Sequence, residues 1–156
     1  MRSAFRGVLA IALLALIAGC SSGALRKQIN PPRASIQQLA VQPDGQWQLT
    51  MRLQNFSNVP TMFETVSMKL KVADHDAGTV ALSPAMTIGP ESADVVTTLL
   101  RPALGAKLQV ASALTASQPV RYSVVGTIVT REPKGSYEVS YESTLNPAPG
   151  LNGVMR

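Results

Sequence analysis

Apolar and polar residues alternate strictly over two neighbouring stretches of the chain, residues 46–54 and 65–72. Because successive side chains of a β-strand point to opposite faces, the alternation places the apolar residues of each stretch on one face. Each stretch therefore predicts a strand that is buried on one side, as in an antiparallel sheet with a solvated outer face. The apolar positions are Trp47, Leu49, Met51 and Leu53, then Val66, Met68, Leu70 and Val72.

Shorter versions of the pattern predict about five more strands. In the earliest of them the alternation slips between Ile36 and Leu39, which predicts a β-bulge. About seven short strands separated by turn residues predict an all-β fold, a sandwich of the immunoglobulin or fibronectin type III kind, over residues 34–145. Residues 146–156 are rich in Pro and Gly, and we expect them to form a flexible tail. The additional strands start near Ala34, Thr79, Ala93, Val120 and Tyr137.

One segment changes from strand-like to helical spacing. Between Ala103 and Ser117 the apolar residues recur three or four positions apart, and Pro119 follows. This pattern predicts one short helix, packed on an open edge or end of the sheets. A helix lying on a membrane surface is the alternative, but it lacks the expected basic face because Lys107 stands alone.

The first nineteen residues have the composition of a signal peptide. Arg2 and Arg6 precede an apolar run from Val8 to Ile17. A charged start, a short apolar centre and a small-residue end are typical of a secretory signal. The run is shorter than the roughly 20 residues that span a bilayer, which argues against a permanent transmembrane helix.

The end of this run, Ile17-Ala18-Gly19-Cys20, resembles the lipobox of bacterial lipoprotein signals. The resemblance implies cleavage between Gly19 and Cys20, a diacylglyceryl group on the Cys20 thiol and acylation of the new amine. Ser21 is similar to the outer-membrane sorting pattern, which implies a lipid anchor on the periplasmic face of the outer membrane. The alternative is an ordinary secretory signal followed by an unpaired cysteine. Residues 20–33 are then a lipidated tether, whose basic residues either contact headgroups or are simply solvated.

Charge and aromatic content argue against a nucleic-acid partner. Fourteen basic residues against nine acidic ones give a formal charge of +5. Removal of the two arginines in the predicted signal leaves +3, and the chain has only seven aromatic residues. A nucleic-acid surface needs a basic stripe, usually with stacking aromatic residues, and the basic residues here are scattered.

No catalytic residue, metal site or cofactor is predicted. Cys20 is the only cysteine, so the chain has no internal disulfide, and His75 is the only histidine. Asp74 and Asp76 flank His75, but three adjacent residues rarely converge on one ion, so we favour a polar hairpin turn over a metal site. Glu138 and Glu142 are expected on one solvated strand face, where their pKa values would not separate as catalysis requires.

Residues Asn55 to Pro60 interrupt the two central strands. Asn side chains bond to local backbone groups and tolerate left-handed conformations, while Pro60 fixes φ and lacks an N–H donor. We expect Asn55, Asn58 and Pro60 to form a structural turn motif, with Phe56 or Val59 closing the end of the sandwich.

These motifs make residues 34–145 similar to the LEA type 2 family, also called the water-stress and hypersensitive-response (WHy) domain. The break at Asn55 to Pro60 resembles the family's Asn-Pro-Asn motif, although Phe56 stands where the family usually has Pro. The segment Val120 to Gly126 resembles the family's apolar-Tyr-x-Val-x-Gly strand. The resemblance implies a folded, non-enzymatic β-sandwich linked to desiccation or other stress.

Together these features predict a membrane-anchored, non-enzymatic lipoprotein that binds or protects. The alternative is an accessory or assembly subunit of an envelope transporter or machine, which presents a sandwich edge to a protein partner. The third interpretation is an enzyme of unfamiliar type. A deep pocket with convergent polar groups would support it. The sequence does not indicate an oligomeric state.

Overall fold

The computed structural model describes residues 26–156, which form two antiparallel sheets and one helix. The expectation of a mostly β, sandwich-like domain with one short helix is confirmed. Seven strands have eight or more residues and correspond to the predicted ones, whereas β5 and β9 are short additions. The elements are β1 (Arg33–Val41), β2 (Trp47–Gln54), β3 (Thr61–Val72), β4 (His75–Leu82), β5 (Met86–Ile88), β6 (Ala93–Leu100), α1 (Leu104–Ala116), β7 (Val120–Glu132), β8 (Lys134–Leu145) and β9 (Val154–Met155).

The first sheet has the strand order β6-β2-β1-β9, and the second has the order β4-β3-β7-β8, with β5 paired to β3. The core lies between them, and the alternating apolar residues of β2 and β3 are all buried there. Their polar neighbours lie mostly on the outer faces. The alternation thus predicts the buried face of both strands correctly.

The predicted bulge in β1 is present. Its register against β2 shifts between Ile36 and Gln38, so that Gln37 is the extra residue. Ile36 and Leu39 are both buried although they are three positions apart, because the bulge returns the later residues of the strand to the core face.

The helix α1 packs on β4, β3 and β7 through its small residues. Ala106, Val110 and Ala113 are buried, whereas Leu104 and Leu108 are 70% and 59% exposed. Small side chains allow the helix to lie close to the sheet, so the leucines that mark the helical spacing face outward. The helix ends at Ala116 and is capped by Ser117, whose left-handed conformation lets its N–H bond back to the last turn. Within residues 26–156, no helix is long and apolar enough to span a bilayer.

The prediction of a flexible tail over residues 146–156 is wrong. The two-residue strand β9 pairs with Leu39 and Ala40 of β1, and Met155 is fully buried. Asn146 and Arg156 exchange backbone hydrogen bonds of 2.6 and 2.8 Å. The Pro and Gly residues between them form a turn that brings the chain back to the sheet, instead of marking a frayed end.

Candidate functional site

The sandwich has two distinct ends. We call one the loop end, formed by the loops 55–60 and 89–92 and the turn 132–134. The strand pairing brings these together, because Gln54 lies beside Ala93 and Thr61 beside Ile88. The other is the helix end, formed by α1 and the turns 42–46 and 73–74.

Asn55 holds the loop end together from inside. Its side chain is buried, and its Nδ2 donates hydrogen bonds to the carbonyls of Val59 (2.8 Å) and Gly89 (2.9 Å), with a longer one to Ile88 (3.2 Å). Its Oδ1 accepts from the backbone N–H of Ser57 at 2.9 Å. One side chain therefore satisfies backbone groups of two loops, of which the Ile88 carbonyl and the Ser57 N–H are buried and need a partner.

Asn58 binds the chain that leads into β1. Its Oδ1 accepts from the N–H of Gln28 at 2.7 Å, and its Nδ2 donates to the carbonyl of Arg26 at 2.9 Å. Its own N–H donates to the carbonyl of Gln28 at 3.2 Å. Asn58 thus satisfies the backbone of this incoming segment much as a neighbouring strand would.

Asn30 makes the second set of contacts with the loop. Its Nδ2 donates to the carbonyl of Phe56 at 2.7 Å, and its N–H donates to Ser57 Oγ at 3.0 Å. Ser57 Oγ donates in turn to the carbonyl of Asn30 at 3.3 Å. We call residues 26–33 the docked segment, because this part of the predicted tether lies bound to the loop end.

Arg33, the last residue of the docked segment, packs its guanidinium on two aromatic rings. Its guanidinium carbon lies 5.0 Å from the ring centre of Phe56 and 5.3 Å from that of Tyr141. These distances are within the range of cation–π attraction. Phe56 is half-buried beneath Arg33, Val59 is also half-buried, and Pro60 is exposed.

Sequence reasoning missed the partners of the turn motif. In the sequence, Gln28 and Asn30 look like linker residues and Ser57 looks like a loop residue. Nothing in their spacing predicts that the linker bonds to a loop about thirty positions later. Asn30 followed by two prolines does indicate an extended segment with a free side-chain amide. Gly19 and Cys20, the predicted cleavage and lipid-attachment residues, lie outside the described residues.

At the helix end an open groove of about 480 Å³ lies between α1 and the strands β3 and β7. Lys71 and Arg121 line it together with Asp74 and Glu142, so neither sign of charge dominates. Tyr122 also borders the groove, but its hydroxyl is turned into the core, where it lies 3.1 Å from the backbone nitrogen of Ile36. Burial raises the pKa of Tyr122 to about 12, so the phenol stays protonated at alkaline pH values at which an exposed tyrosine ionises.

His75 opens β4 directly after a tight turn. Ala73 and Asp74 both have positive φ values, 46° and 66°, as in the two-residue turns that join antiparallel strands. The imidazole is exposed, with Nε2 3.4 Å from the side-chain amide of Gln109. Among residues 26–156, no three His, Cys, Asp or Glu side chains come together as a metal site.

Comparison with known proteins gives structural neighbours alone, since no family model and no curated protein matches the chain. A crystal structure of a protein from Archaeoglobus fulgidus is similar, with 13% identity and a TM-score of 0.44 over 78% of this chain and 98% of that one. A protein from Arabidopsis thaliana has 9% identity and a TM-score of 0.47, covering 80% and 86%. A protein provisionally described as late embryogenesis abundant (LEA) has 12% identity and a TM-score of 0.45, covering 95% and 87%.

Proposed function

We propose that this chain is a lipoprotein, anchored through Cys20 to the periplasmic face of the outer membrane, that binds or protects and does not catalyse. The observation that carries the proposal is the segment Ile17 to Cys20, in which an apolar run ends in small residues and the only cysteine. Two or three acyl chains on that residue would anchor the protein firmly, because each buried methylene contributes roughly 0.8 kcal/mol.

The anchoring is tested by the variant Cys20→Ser expressed in cells fed a labelled fatty acid. We expect lipid labelling to be lost and the uncleaved precursor to remain in the inner membrane. The matched variant Ser22→Ala should be labelled and cleaved like the unchanged protein. Normal cleavage of Cys20→Ser after Gly19, with release of a soluble product, would refute the anchor.

The use of the polar residues supports a non-catalytic role. The buried polar side chain of Asn55 bonds to backbone carbonyls, and the Tyr122 hydroxyl bonds to the backbone of β1. Neither is free to act on a substrate. His75, the single imidazole, is exposed and contacts an uncharged amide. Asn55 and Tyr122 thus serve to hold the fold together, which agrees with a domain that binds or protects.

The resemblance to the LEA type 2 family gives the proposal its biological context, which is protection during desiccation or other stress. As part of the same proposal, we assign the sandwich to the immunoglobulin or fibronectin type III kind.

The protective role is tested by drying. A strain lacking the protein should survive drying less well than its parent, and the full chain should restore survival. Equal survival of the two strains would exclude a protective role.

A second candidate is an accessory subunit that offers a sheet edge to an envelope protein. The favouring observation is β8, an edge strand of twelve residues without proline, whose pairing with β7 runs without a register shift. Long, regular edge strands are open to pairing with another strand. The opposite edge, β4, is instead irregular beside Leu70 and is contacted by α1.

Photo-crosslinking in intact cells separates the two candidates. A crosslinking amino acid at Ser140 of β8 should give one discrete adduct with an envelope protein if the edge is a docking site. The same amino acid at Gln48, exposed on the central strand β2, is the control and should give none. No adduct at either position would leave the protective role as the only candidate.

A further inference from the structure

We propose that the docked segment fixes which end of the sandwich faces the bilayer, with the loop end against the membrane and the helix end directed away from it. The inference rests on the proposed lipid attachment at Cys20. Its structural basis lies in residues 26–33 and the loop that binds them.

The docked segment is held at both of its ends. At its first end, the side chain of Asn58 accepts from the N–H of Gln28 at 2.7 Å and donates to the carbonyl of Arg26 at 2.9 Å. Near β1, Asn30 bonds to Ser57 and Phe56, and Pro32 is buried. The chain therefore becomes part of the folded domain at Arg26, and not at the start of the first strand.

The chain between lipid and domain is then short. Six residue steps separate Cys20 from Arg26, and at most about 3.6 Å per step they reach roughly 20 Å in any conformation. Strand β1, which runs from the docked segment to the turn 42–46 at the helix end, has nine residues and a length of roughly 30 Å, at about 3.3 Å per residue. An inverted domain with its helix end on the membrane would need an anchor chain that runs this whole length, so this orientation is excluded.

The docked segment is necessary for this result. If the fold began at Arg33, thirteen steps would separate it from Cys20, and these would reach roughly 45 Å. That is enough to let the domain turn over. The contacts of Asn30 and Asn58 therefore convert a long tether into a short one.

The charges at the exit point agree with a lipid surface as the partner. Arg26 and Lys27 are exposed where the chain leaves the loop end, and basic side chains next to an anionic bilayer are favourable. The exposed Leu104 and Leu108 lie on α1 at the opposite end, where they would face the periplasm and not the lipid. The helix end is thus open to other envelope components, as the β8 edge on the side of the sandwich is.

Energy transfer in liposomes tests the orientation. The lipidated full-length protein is reconstituted into vesicles of phosphatidylethanolamine and phosphatidylglycerol that contain a rhodamine-labelled lipid as acceptor. A donor dye is placed on Glu91→Cys at the loop end or on Ser112→Cys at the helix end. Both positions are exposed, and the native Cys20 is blocked by its lipid. We expect clearly higher transfer from position 91 than from position 112.

Two further variants show whether the docked segment is the cause. Asn30→Ala with Asn58→Ala should reduce the difference between the two positions. An insertion of twelve Gly and Ser residues after Gly23, outside the domain, should do the same without touching the fold. Equal or reversed transfer in the unmodified protein would overturn the inference, as would a difference that the insertion leaves unchanged. Failure of the protein to float with vesicles would instead refute the lipid anchor itself, so the two failures are distinguishable.

Discussion

The hydroxyl of Tyr122 in β7 lies 3.1 Å from the backbone nitrogen of Ile36 in β1 and 3.4 Å from its carbonyl oxygen. Ile36 precedes the bulge, where the ladder between β1 and β2 shifts register. The tyrosine therefore forms hydrogen bonds with backbone groups beside the bulge. These bonds cross the core and connect the two sheets. This bond gives a structural reason for a tyrosine in the Val120 to Gly126 motif.

Replacing Tyr122 with Phe should destabilise the domain by about 1–3 kcal/mol, because the backbone groups of Ile36 lose a buried partner. The measurement is urea denaturation of the fragment 26–156. Tyr137→Phe is the matched control, since the Tyr137 ring is only half-buried, and it should change stability much less. Equal effects of the two substitutions would refute the special role of Tyr122.

Tyr122 should also make stability depend on pH at the alkaline end. Burial raises its pKa to about 12, above the value of 10.0 expected when it is exposed. Because folding raises this pKa, the native state holds the phenol proton more tightly than the unfolded state does. The resulting contribution to stability is fully present at pH values below the pKa of the unfolded state. That contribution is lost as the pH rises from about 10 to about 12. Unfolding free energies at about pH 9 and about pH 11 should differ more for the unchanged domain than for Tyr122→Phe; equal differences would contradict the assignment.

Asn55→Ala should lower stability by about 2–3 kcal/mol, more than the loss of one hydrogen bond, because the buried carbonyl of Ile88 and the part-buried carbonyls of Val59 and Gly89 all lose their partner. Thermal unfolding measures the effect, and the exposed Asn152→Ala is the control. Export and lipid attachment should be unaffected. Unchanged melting with a loss of stress tolerance would show that the loop is a working surface and not a structural turn.

Gly126→Ala should cost about 1–3 kcal/mol, the usual range for overpacking. A Cβ at this position would meet the Ser67 carbonyl oxygen and the Met68 Cα of the adjacent strand β3, and a backbone cannot move aside as a side chain can. The neighbouring Val125→Ala, at a site that is 52% exposed, should be nearly neutral. A Gly126→Ala variant as stable as the parent would show that the two strands can separate without loss.

The fragment 26–156 should fold by itself into a β-rich domain, whereas the fragment 34–145 should be less stable or fail to fold. The shorter one lacks the docked segment and the buried Met155. Circular dichroism during thermal unfolding compares them. Equal melting temperatures would mean that these terminal contacts add nothing to stability.

The sequence predicts those parts of the fold that depend on local periodicity. The two central strands, the strand Ala93–Leu100 and the bulge after Ile36 all follow from the spacing of apolar residues. Strand β9 could not be predicted, because two residues are too few to show alternation. Its pairing with Leu39 is also a contact between opposite ends of the sequence.

The candidate site was only partly predictable for a different reason. Asn55 and Asn58 were expected to bond to local backbone, and Asn55 does bond to Ser57 and Val59. The long-range bonds from Asn58 to residues 26–28 depend on where the incoming chain lies. In α1, spacing alone did not show which face of the helix packs on the sheet. The buried Ala106 and Val110 and the exposed Leu104 and Leu108 both recur at helical spacing.

Trp47 has a practical consequence for all of these measurements. It is the only tryptophan in the chain, and it is fully buried. No partner among the described residues lies within hydrogen-bond distance of its indole N–H. An indole that is shielded from water emits at short wavelength, and unfolding moves that emission to the red. Its fluorescence is therefore a built-in reporter of the core, and each variant can be followed without adding a label.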